Sequence, residues 1–189
     1  MPSRWSWPVK HRVFISFSYF SPASLASLFR HAGFELIDLA RDYDDQYLMV
    51  EARPGSGAGQ ALPGPEDDLR ALSGVVQRFA AEYPQRLAWW KNYLREIKRG
   101  GRRAVLWGAG SKGVAFLTTL GVQDEIEYAV DINPHKHGTF MAGTGQEIVA
   151  PEFLRQYQPD VVIVMNPIYR QEVQRSLQAM ELNAEMMTV

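Results

Sequence analysis

The spacing of apolar residues changes along the chain and predicts different elements in different stretches. Residues 66–99 carry apolar side chains at helical spacing, which predicts helix. Pro84 predicts a break into two helices, because proline disfavours helical geometry at the residue before it. Trp89, Trp90 and Tyr93 lie in this stretch and are expected in the core or in an interface rather than against a cofactor.

From residue 104 onward, short continuous apolar runs alternate with segments of helical period, a pattern typical of parallel strands buried on both faces. We therefore predict the fold class α/β, as a Rossmann-like three-layer domain with a parallel sheet. Residues 131–154 are expected to form a long loop after the C-terminal end of a strand, and ligands bind at that edge of open α/β sheets. The strands are expected within residues 103–110, 126–133, 160–167 and 184–189, and the helices within residues 111–121, 151–158 and 169–181.

The first part of the chain predicts one helix and one antiparallel β-hairpin. Ser21 is placed to cap the helix, Pro22 lies in its first turn, and Gly33 follows its C-terminal end. Two β-rich runs on either side of a turn at residues 42–45 predict the hairpin. These elements are too few to bury a core of their own.

We divide the chain into three regions on this basis. Residues 1–53 are interpreted as the remnant of the end of a larger domain, within which residues 1–17 are unrelated or disordered. Residues 54–65 are rich in Gly and Pro and predict a linker. The helical segment and the Rossmann-like domain together occupy residues 66–189.

The composition excludes several classes of function. The 189 residues include 20 basic and 21 acidic side chains, so the formal charge of -1 predicts no nucleic-acid partner. The chain has no cysteine, which excludes disulfides, thiolate metal sites and cysteine nucleophiles. No apolar run approaches the roughly 20 residues of a membrane helix. We expect a cytoplasmic protein without a membrane partner.

A glycine-rich turn joins the first strand of the α/β region to its first helix. Gly108, Gly110 and Gly113 form the pattern G-x-G-x-x-G, with Ser111 and Lys112 inside it. In nucleotide-binding proteins such glycines allow a tight turn, a close approach of the backbone to phosphates, and close packing of helix on strand. A tight turn also needs glycine when no ligand binds. A phosphate or nucleotide site and a purely structural turn are therefore equal alternatives, and a hydride-transfer cofactor is disfavoured.

Polar side chains also follow the second and third predicted strands of this region. Asp131 comes at about the 20-residue interval after the glycine pattern that a ribose-binding acid occupies in dinucleotide-binding proteins. His135, Lys136 and His137 could contact a phosphate or act as acid/base groups, although a surface position is favoured for both histidines. No metal site is expected because no further ligand accompanies the histidines. Asn166 is interpreted equally as a ligand contact or as a cap of the following turn. The candidate residues for binding substrate or phosphate are Gly108, Gly110, Ser111, Lys112, Gly113, Asp131, Asn133, His135, Lys136, Asn166 and Tyr169.

Several of these stretches together resemble a known family. Residues 107–117, 130–154 and 159–173 look like the C-terminal domain of S-adenosylmethionine-dependent C-methyltransferases, a group that includes C-3-methyltransferases of nucleotide deoxysugars. The pattern D-x-N-P-x-K-x-G, followed by G-T-G and I-x-x-P, is more specific than the glycine pattern. Residues 18–53 are similar to the last helix and closing hairpin of the same family's catalytic domain.

The resemblance implies a protein of three parts: a cysteine-rich zinc domain, a Rossmann-type methyltransferase domain that holds the methyl donor, and the C-terminal domain seen here. It places the nucleotide sugar between the last two parts and implies no NAD site. The chain departs from the family because the zinc cysteines and the donor-binding half are absent. Where the family carries a Glu-His pair, this chain has Ile15 and Ser16, and neither moves a proton at neutral pH.

The resemblance leads to one main hypothesis about function and two alternatives. We expect the C-terminal portion of a C-methyltransferase for a nucleotide sugar, inactive alone, with no catalytic residue and no cofactor of its own. A truncated gene, a mis-set start or a fragment would account for this. The expected partners are a nucleotide-sugar-like small molecule and either a donor-binding methyltransferase subunit or a second copy of the chain. One alternative is a stand-alone module that binds a nucleotide, a nucleotide sugar or NAD(P). The other is an interaction protein that docks through residues 66–99 and the exposed hairpin.

Overall fold

In a computed structural model of the chain, the structure describes residues 20–55 and 65–189, with side chains from residue 69 onward in the second range. The predicted segment 1–17 and most of the predicted linker lie outside the described residues. The chain divides into two compact units, residues 1–76 and residues 77–189.

The first unit contains the helix and the hairpin that the sequence predicts. Helix α1 spans Pro22–His31, and strands β1 (Phe34–Asp42) and β2 (Tyr47–Pro54) pair in antiparallel register. The Ser21 hydroxyl accepts a hydrogen bond from the Ser24 amide at 3.2 Å, which confirms the predicted cap. Among the hydrophobic residues described in this unit, two are buried, Ala26 and Leu36.

Helix α2 spans Pro65–Arg99 without interruption, so the predicted break at Pro84 is wrong. Proline removes one backbone hydrogen bond, and here the carbonyl that loses its partner belongs to Ala80, which lies on an exposed stretch of the helix. Farther along, Trp90, Leu94 and Ile97 are buried. Burial of this apolar stripe stabilises the helix beyond the proline, which local propensity alone does not reveal.

The second unit is built around a parallel sheet of five strands. The strands are β3 (Ala104–Trp107), β4 (Ile126–Val130), β5 (Glu147–Val149), β6 (Val161–Val164) and β7 (Glu185–Thr188), in the spatial order β5-β4-β3-β6-β7. The order reverses beside β3, which makes the ends of β3 and β6 the switch point of the sheet. The sequence missed β5, which has only three residues and lies within the stretch predicted as a loop.

Helices cover both faces of this sheet, as the predicted three-layer fold requires. The further helices are α3 (Ser111–Leu120), α4 (Leu154–Tyr157) and α5 (Arg170–Ala179). Alternate residues of each strand enter two separate cores. Leu106 and Ile163 join the core with α2 and α3, whereas Val105 and Val162 join the core with α4 and α5. The fold is Rossmann-like, with the continuous apolar strands of a sheet buried on both sides.

The aromatic residues Trp89, Trp90 and Tyr93 of α2 differ in their exposure. Trp90 is buried and meets the Phe116 ring of α3 edge to face, with ring centroids 5.1 Å apart. The Tyr93 hydroxyl donates a hydrogen bond to Glu185 of β7 at 2.8 Å, and burial together with this carboxylate raises the pKa of Tyr93 to about 12. Trp89 is exposed and stacks on Tyr93. The expectation of a core position is confirmed for Trp90.

We predict that Gly113→Ala destabilises the second unit by about 1–3 kcal/mol. A Cβ atom at Gly113 would lie 2.5 Å from the carbonyl oxygen of Gly108 and 3.0 Å from the Leu106 side chain, so α3 would be forced away from β3. Urea unfolding followed by circular dichroism measures the change in the free energy of unfolding.

The matched control for that variant is Gly74→Ala, which adds the same methyl group to a helical glycine of α2. Nothing lies within 4 Å of a Cβ at Gly74, so alanine there favours the helix by up to about 1 kcal/mol. An equal response of the two variants would contradict the steric role of Gly113.

Candidate functional site

The three glycines of the turn after β3 meet different structural demands. Gly108 has a φ of 116°, a region that favours glycine, and a Cβ there would lie 3.2 Å from the Cβ of Met165. Gly113 is required by the contact of α3 with β3. Gly110 has an extended backbone, with φ of -102° and ψ of -169°, and a Cβ there would meet nothing within 4 Å. Packing within the protein therefore explains Gly108 and Gly113 but not Gly110.

Gly110 occupies the N-cap of α3. The first turn of a helix carries amides that its own backbone cannot satisfy, and Gly110 has no side chain to cap them. The partial positive charge at this helix end favours an anion. Ser111 and Lys112 lie in the same turn with exposed side chains. This turn is the part of the glycine pattern that is suited to bind a phosphate.

The carboxylate of Asp131 connects the turn after β3 to the loop after β4. One oxygen accepts a hydrogen bond from the Ala109 amide at 3.1 Å, and the other accepts one from the Asn133 amide at 2.9 Å. The Lys136 ammonium donates to the first oxygen at 2.8 Å. The residue is 9% exposed, so a buried carboxylate has its polar partners within the protein.

Lys136 completes the connection from the other side. Its ammonium also donates to the Ala109 carbonyl at 3.1 Å. Both backbone polar groups of Ala109 are thus bound by the β4 loop, one by Asp131 and one by Lys136. The conformation of the glycine turn is fixed by these bonds before any ligand binds.

The charge of Asp131 is stabilised by these contacts. Burial alone raises the pKa of the carboxyl, but the hydrogen bond from Lys136, the Asn133 amide and the Ala109 amide outweigh it. The net result is a pKa below the ordinary value of 3.8. A ribose hydroxyl would have to compete with Lys136 for this carboxylate. The contact with Lys136 therefore disfavours the prediction that Asp131 binds a ribose.

The other polar residues of the β4 loop shape its backbone. The Asn133 side chain accepts a hydrogen bond from the His135 amide at 3.0 Å and caps a 3₁₀ turn at Pro134–Lys136. The imidazole of His137 donates from Nε2 to the Asp131 carbonyl at 2.7 Å and is half-buried, so this ring belongs to the loop's framework. The His135 side chain is exposed.

The loop after β6 contributes a cap and an exposed ring. The Asn166 side chain accepts a hydrogen bond from the Ile168 amide at 3.4 Å, which supports its interpretation as a turn cap. Tyr169 is 43% exposed at the end of the same turn. Met165, which is not among the predicted site residues, is buried and packs against Gly108 at the switch point.

The structure gathers only some of the predicted site residues. Asp131 and Lys136 bind the backbone of Ala109 in the glycine turn, and the Asn133 amide donates to Asp131. Ala109 carries no signal in the sequence because only its backbone takes part. Among the side chains described, those of residues 20–55 and 69–189, no three His, Asp or Glu residues come together as a metal site. No helix in those ranges is long and apolar enough to cross a membrane.

We predict that Asp131→Asn lowers the free energy of unfolding at pH 7 by about 1–3 kcal/mol, because it weakens charge-assisted hydrogen bonds to buried partners. The pKa of Asp131 lies below its ordinary value in the folded state, so the native carboxylate stabilises the fold above pH 3.8. That stabilisation is lost as the pH falls through the lowered pKa. Urea unfolding at pH 7, 5 and 3 should show the two proteins converge in acid.

The control is Asp124→Asn, which removes an exposed carboxylate paired with Lys98. An exposed pair is screened by solvent, so this variant should remain close to the native protein at every pH. A difference between the native protein and Asp131→Asn that stays constant down to pH 3 would argue against the charge of Asp131 as the cause.

Comparisons with known proteins agree with the family resemblance. Residues 68–188 match the family described as the C-methyltransferase C-terminal domain. The C-methyltransferase NovU of Streptomyces niveus is 28% identical over 166 residues, which are 83% of this chain and 40% of that protein. The chain therefore spans about two fifths of the length of this curated relative.

Solved structures give weaker likenesses. UDP-D-quinovosamine 4-dehydrogenase from Vibrio fischeri is 22% identical with a TM-score of 0.38, over 47% of this chain and 77% of that chain. RSP, a Rex-family repressor solved with β-NADH, is 18% identical with a TM-score of 0.36, over 64% of this chain and 73% of that chain. Scores this low carry no argument. The sequence match covers more than half of the chain, and the chain belongs to the C-methyltransferase C-terminal domain family.

Proposed function

We propose that the chain works as the C-terminal part of an S-adenosylmethionine-dependent C-methyltransferase that acts on a nucleotide sugar, and that it does not transfer methyl groups alone. Membership of the family supports the reaction class. The family resemblance supports the nucleotide-sugar substrate and assigns the methyl donor to a different domain. The curated relative extends well beyond the region matched here, which leaves room for such a domain in it.

Within that enzyme, we assign the first turn of α3 to the phosphates of the nucleotide sugar. The observation that carries this assignment is Gly110, where the fold accepts a side chain but the chain has none. A glycine at this position lets a phosphate approach the backbone amides of the helix end. Lys112 of the same turn adds a positive charge at short range.

The alternative of an NAD(P)-binding module is less well supported by the geometry. Dinucleotide recognition uses the acid after the second strand for the ribose, and Asp131 is bound by Lys136 and two amides. A stand-alone nucleotide-binding module shares the phosphate site and differs in having no methyltransferase partner. The partner we propose is a donor-binding methyltransferase unit, with a second copy of the chain as the alternative.

We predict that the full chain binds dTDP and that Gly110→Ala weakens this binding at least about tenfold, because a methyl group would stand between the phosphate and the amides. Titration calorimetry of both proteins with dTDP measures the change. Gly74→Ala is the control, since it adds the same methyl group to α2 in open space. Unchanged binding in Gly110→Ala would contradict the phosphate site, and tighter binding of NAD than of dTDP would favour the dinucleotide alternative.

We also predict that the chain by itself does not bind the methyl donor. Equilibrium dialysis with radiolabelled S-adenosylmethionine should leave equal free concentrations on both sides of the membrane. The positive control is a complete C-methyltransferase at the same concentration. Stoichiometric retention of the label by this chain would contradict the assignment of the donor site to another domain.

A further inference from the structure

The second unit contains an apolar cleft that shares only Lys112 with the proposed phosphate site. It has a volume of about 440 Å³, within the range of small-molecule sites, and opens between α2 and α3 beside the ends of β6 and β7. Trp90, Phe116, Leu120 and Met165 form its floor, and all four are buried. Residues of the second unit alone line it.

The cleft exists because the two facing helix stripes do not close on each other. On α2, Tyr83, Leu87 and Trp90 follow one another at helical spacing along the side that faces the cleft. On α3, the corresponding outer positions carry the small residues Ala115 and Thr119, both exposed. Small side chains on one wall and aromatic side chains on the other leave a slot wide enough for a flat group.

The floor of the cleft suits a ring. The Trp90 and Phe116 rings meet at an interplanar angle of 87°, so a planar ligand can place its edge against one and its face against the other. The Met165 thioether is polarizable and makes favourable contacts with aromatic rings. An apolar floor of this kind binds apolar atoms by removing them from water.

Two cationic side chains lie at the rim of the cleft. Arg86 of α2 and Lys112 of α3 line it from opposite sides, and no acidic side chain is among the lining residues. Arg86 is exposed and makes no hydrogen bond or ion pair with any residue that the structure describes. Its guanidinium presents a planar fork of donors, which matches a phosphate or carboxylate.

We propose that this cleft is a binding site for a planar ring that carries an anionic group, with the ring on Trp90 and Phe116 and the anion on Arg86. Two kinds of molecule carry both a planar ring and an anionic group: a nucleotide, and an aryl acid without ribose. The site lies on the β6–β7 side of α3, whereas Asp131 and Lys136 occupy the β4 side. The cleft shares Lys112 with the phosphate site proposed at Gly110, but its floor and Arg86 play no part in that site, and the variants below tell the two sites apart.

The test uses the full chain and three probes. Phenyl phosphate carries ring and anion without ribose, dTMP carries them with ribose, and phenol carries the ring without the anion. Titration calorimetry gives the affinities, and ¹⁵N-resolved NMR locates the binding through the amides of Ala115 and Thr119. We expect phenyl phosphate or dTMP to bind at least about tenfold more tightly than phenol, with shifts at these amides.

Two variants connect the binding to the cleft. Ala115→Leu fills the slot from an exposed position, and Arg86→Gln removes the charge at the rim; each should weaken binding about tenfold. Ala81→Leu and Arg78→Gln make the same changes at exposed positions of α2 outside the cleft and should bind as the native protein does. Circular dichroism confirms that all four variants retain the fold.

The outcomes separate this site from the phosphate site. Loss of binding in Ala115→Leu but not in Gly110→Ala supports the cleft, and binding of dTMP without phenyl phosphate identifies the ligand as a nucleotide. If Gly110→Ala loses probe binding and Ala115→Leu retains it, the cleft is not the binding site, and the proposed function remains supported. If none of the three probes binds at millimolar concentration, the proposed cleft site is contradicted. It is also contradicted if the chain dimerises and Ala115→Leu abolishes the dimer, because a second copy then fills the cleft.

Discussion

The carboxylate of Asp131 fixes the edge of the sheet at which the candidate site lies. It accepts hydrogen bonds from the Ala109 amide, the Asn133 amide and the Lys136 ammonium. Lys136 in turn binds the Ala109 carbonyl, so the turn after β3 and the loop after β4 form one connected network. A buried carboxylate is tolerated because each oxygen has a donor. The geometry of the glycine turn, and therefore of the first turn of α3, depends on this network.

This arrangement gives the two sides of α3 different chemistry. On the β4 side, polar groups satisfy one another within the protein, and Asp131 is committed to holding the backbone. On the β6–β7 side, apolar residues floor a cleft whose rim carries Arg86 and Lys112. The first turn of α3 lies between them, and a Cβ at Gly110 would meet nothing within 4 Å. In this chain Asp131 is bound by Lys136 and two backbone amides, and an apolar cleft opens on the opposite side of α3.

Periodicity predicted most of the elements because the interactions behind it are local or follow a simple alternation. The continuous apolar runs of β3 and β6 and the capped ends of α1 needed no knowledge of distant residues. The helix break predicted at Pro84 is wrong because burial of apolar side chains farther along α2 outweighs the local free-energy cost of a proline in the helix. Strand β5 was missed because three residues carry too little pattern, and its pairing with β4 supplies the hydrogen bonds that define it.

The sequence by itself determined the family, the Rossmann-like fold class and the glycine turn, because motifs and apolar spacing are properties of neighbouring residues. Only the tertiary structure decided which atoms each candidate residue contacts. Packing explains Gly113 but not Gly110, because a Cβ at Gly113 would collide with atoms of other elements and a Cβ at Gly110 would meet none within 4 Å. The contact of Asp131 with Lys136 and the cleft between α2 and α3 are also visible only in the tertiary structure. Those features arise where segments far apart in the chain meet, and no local pattern records such a meeting.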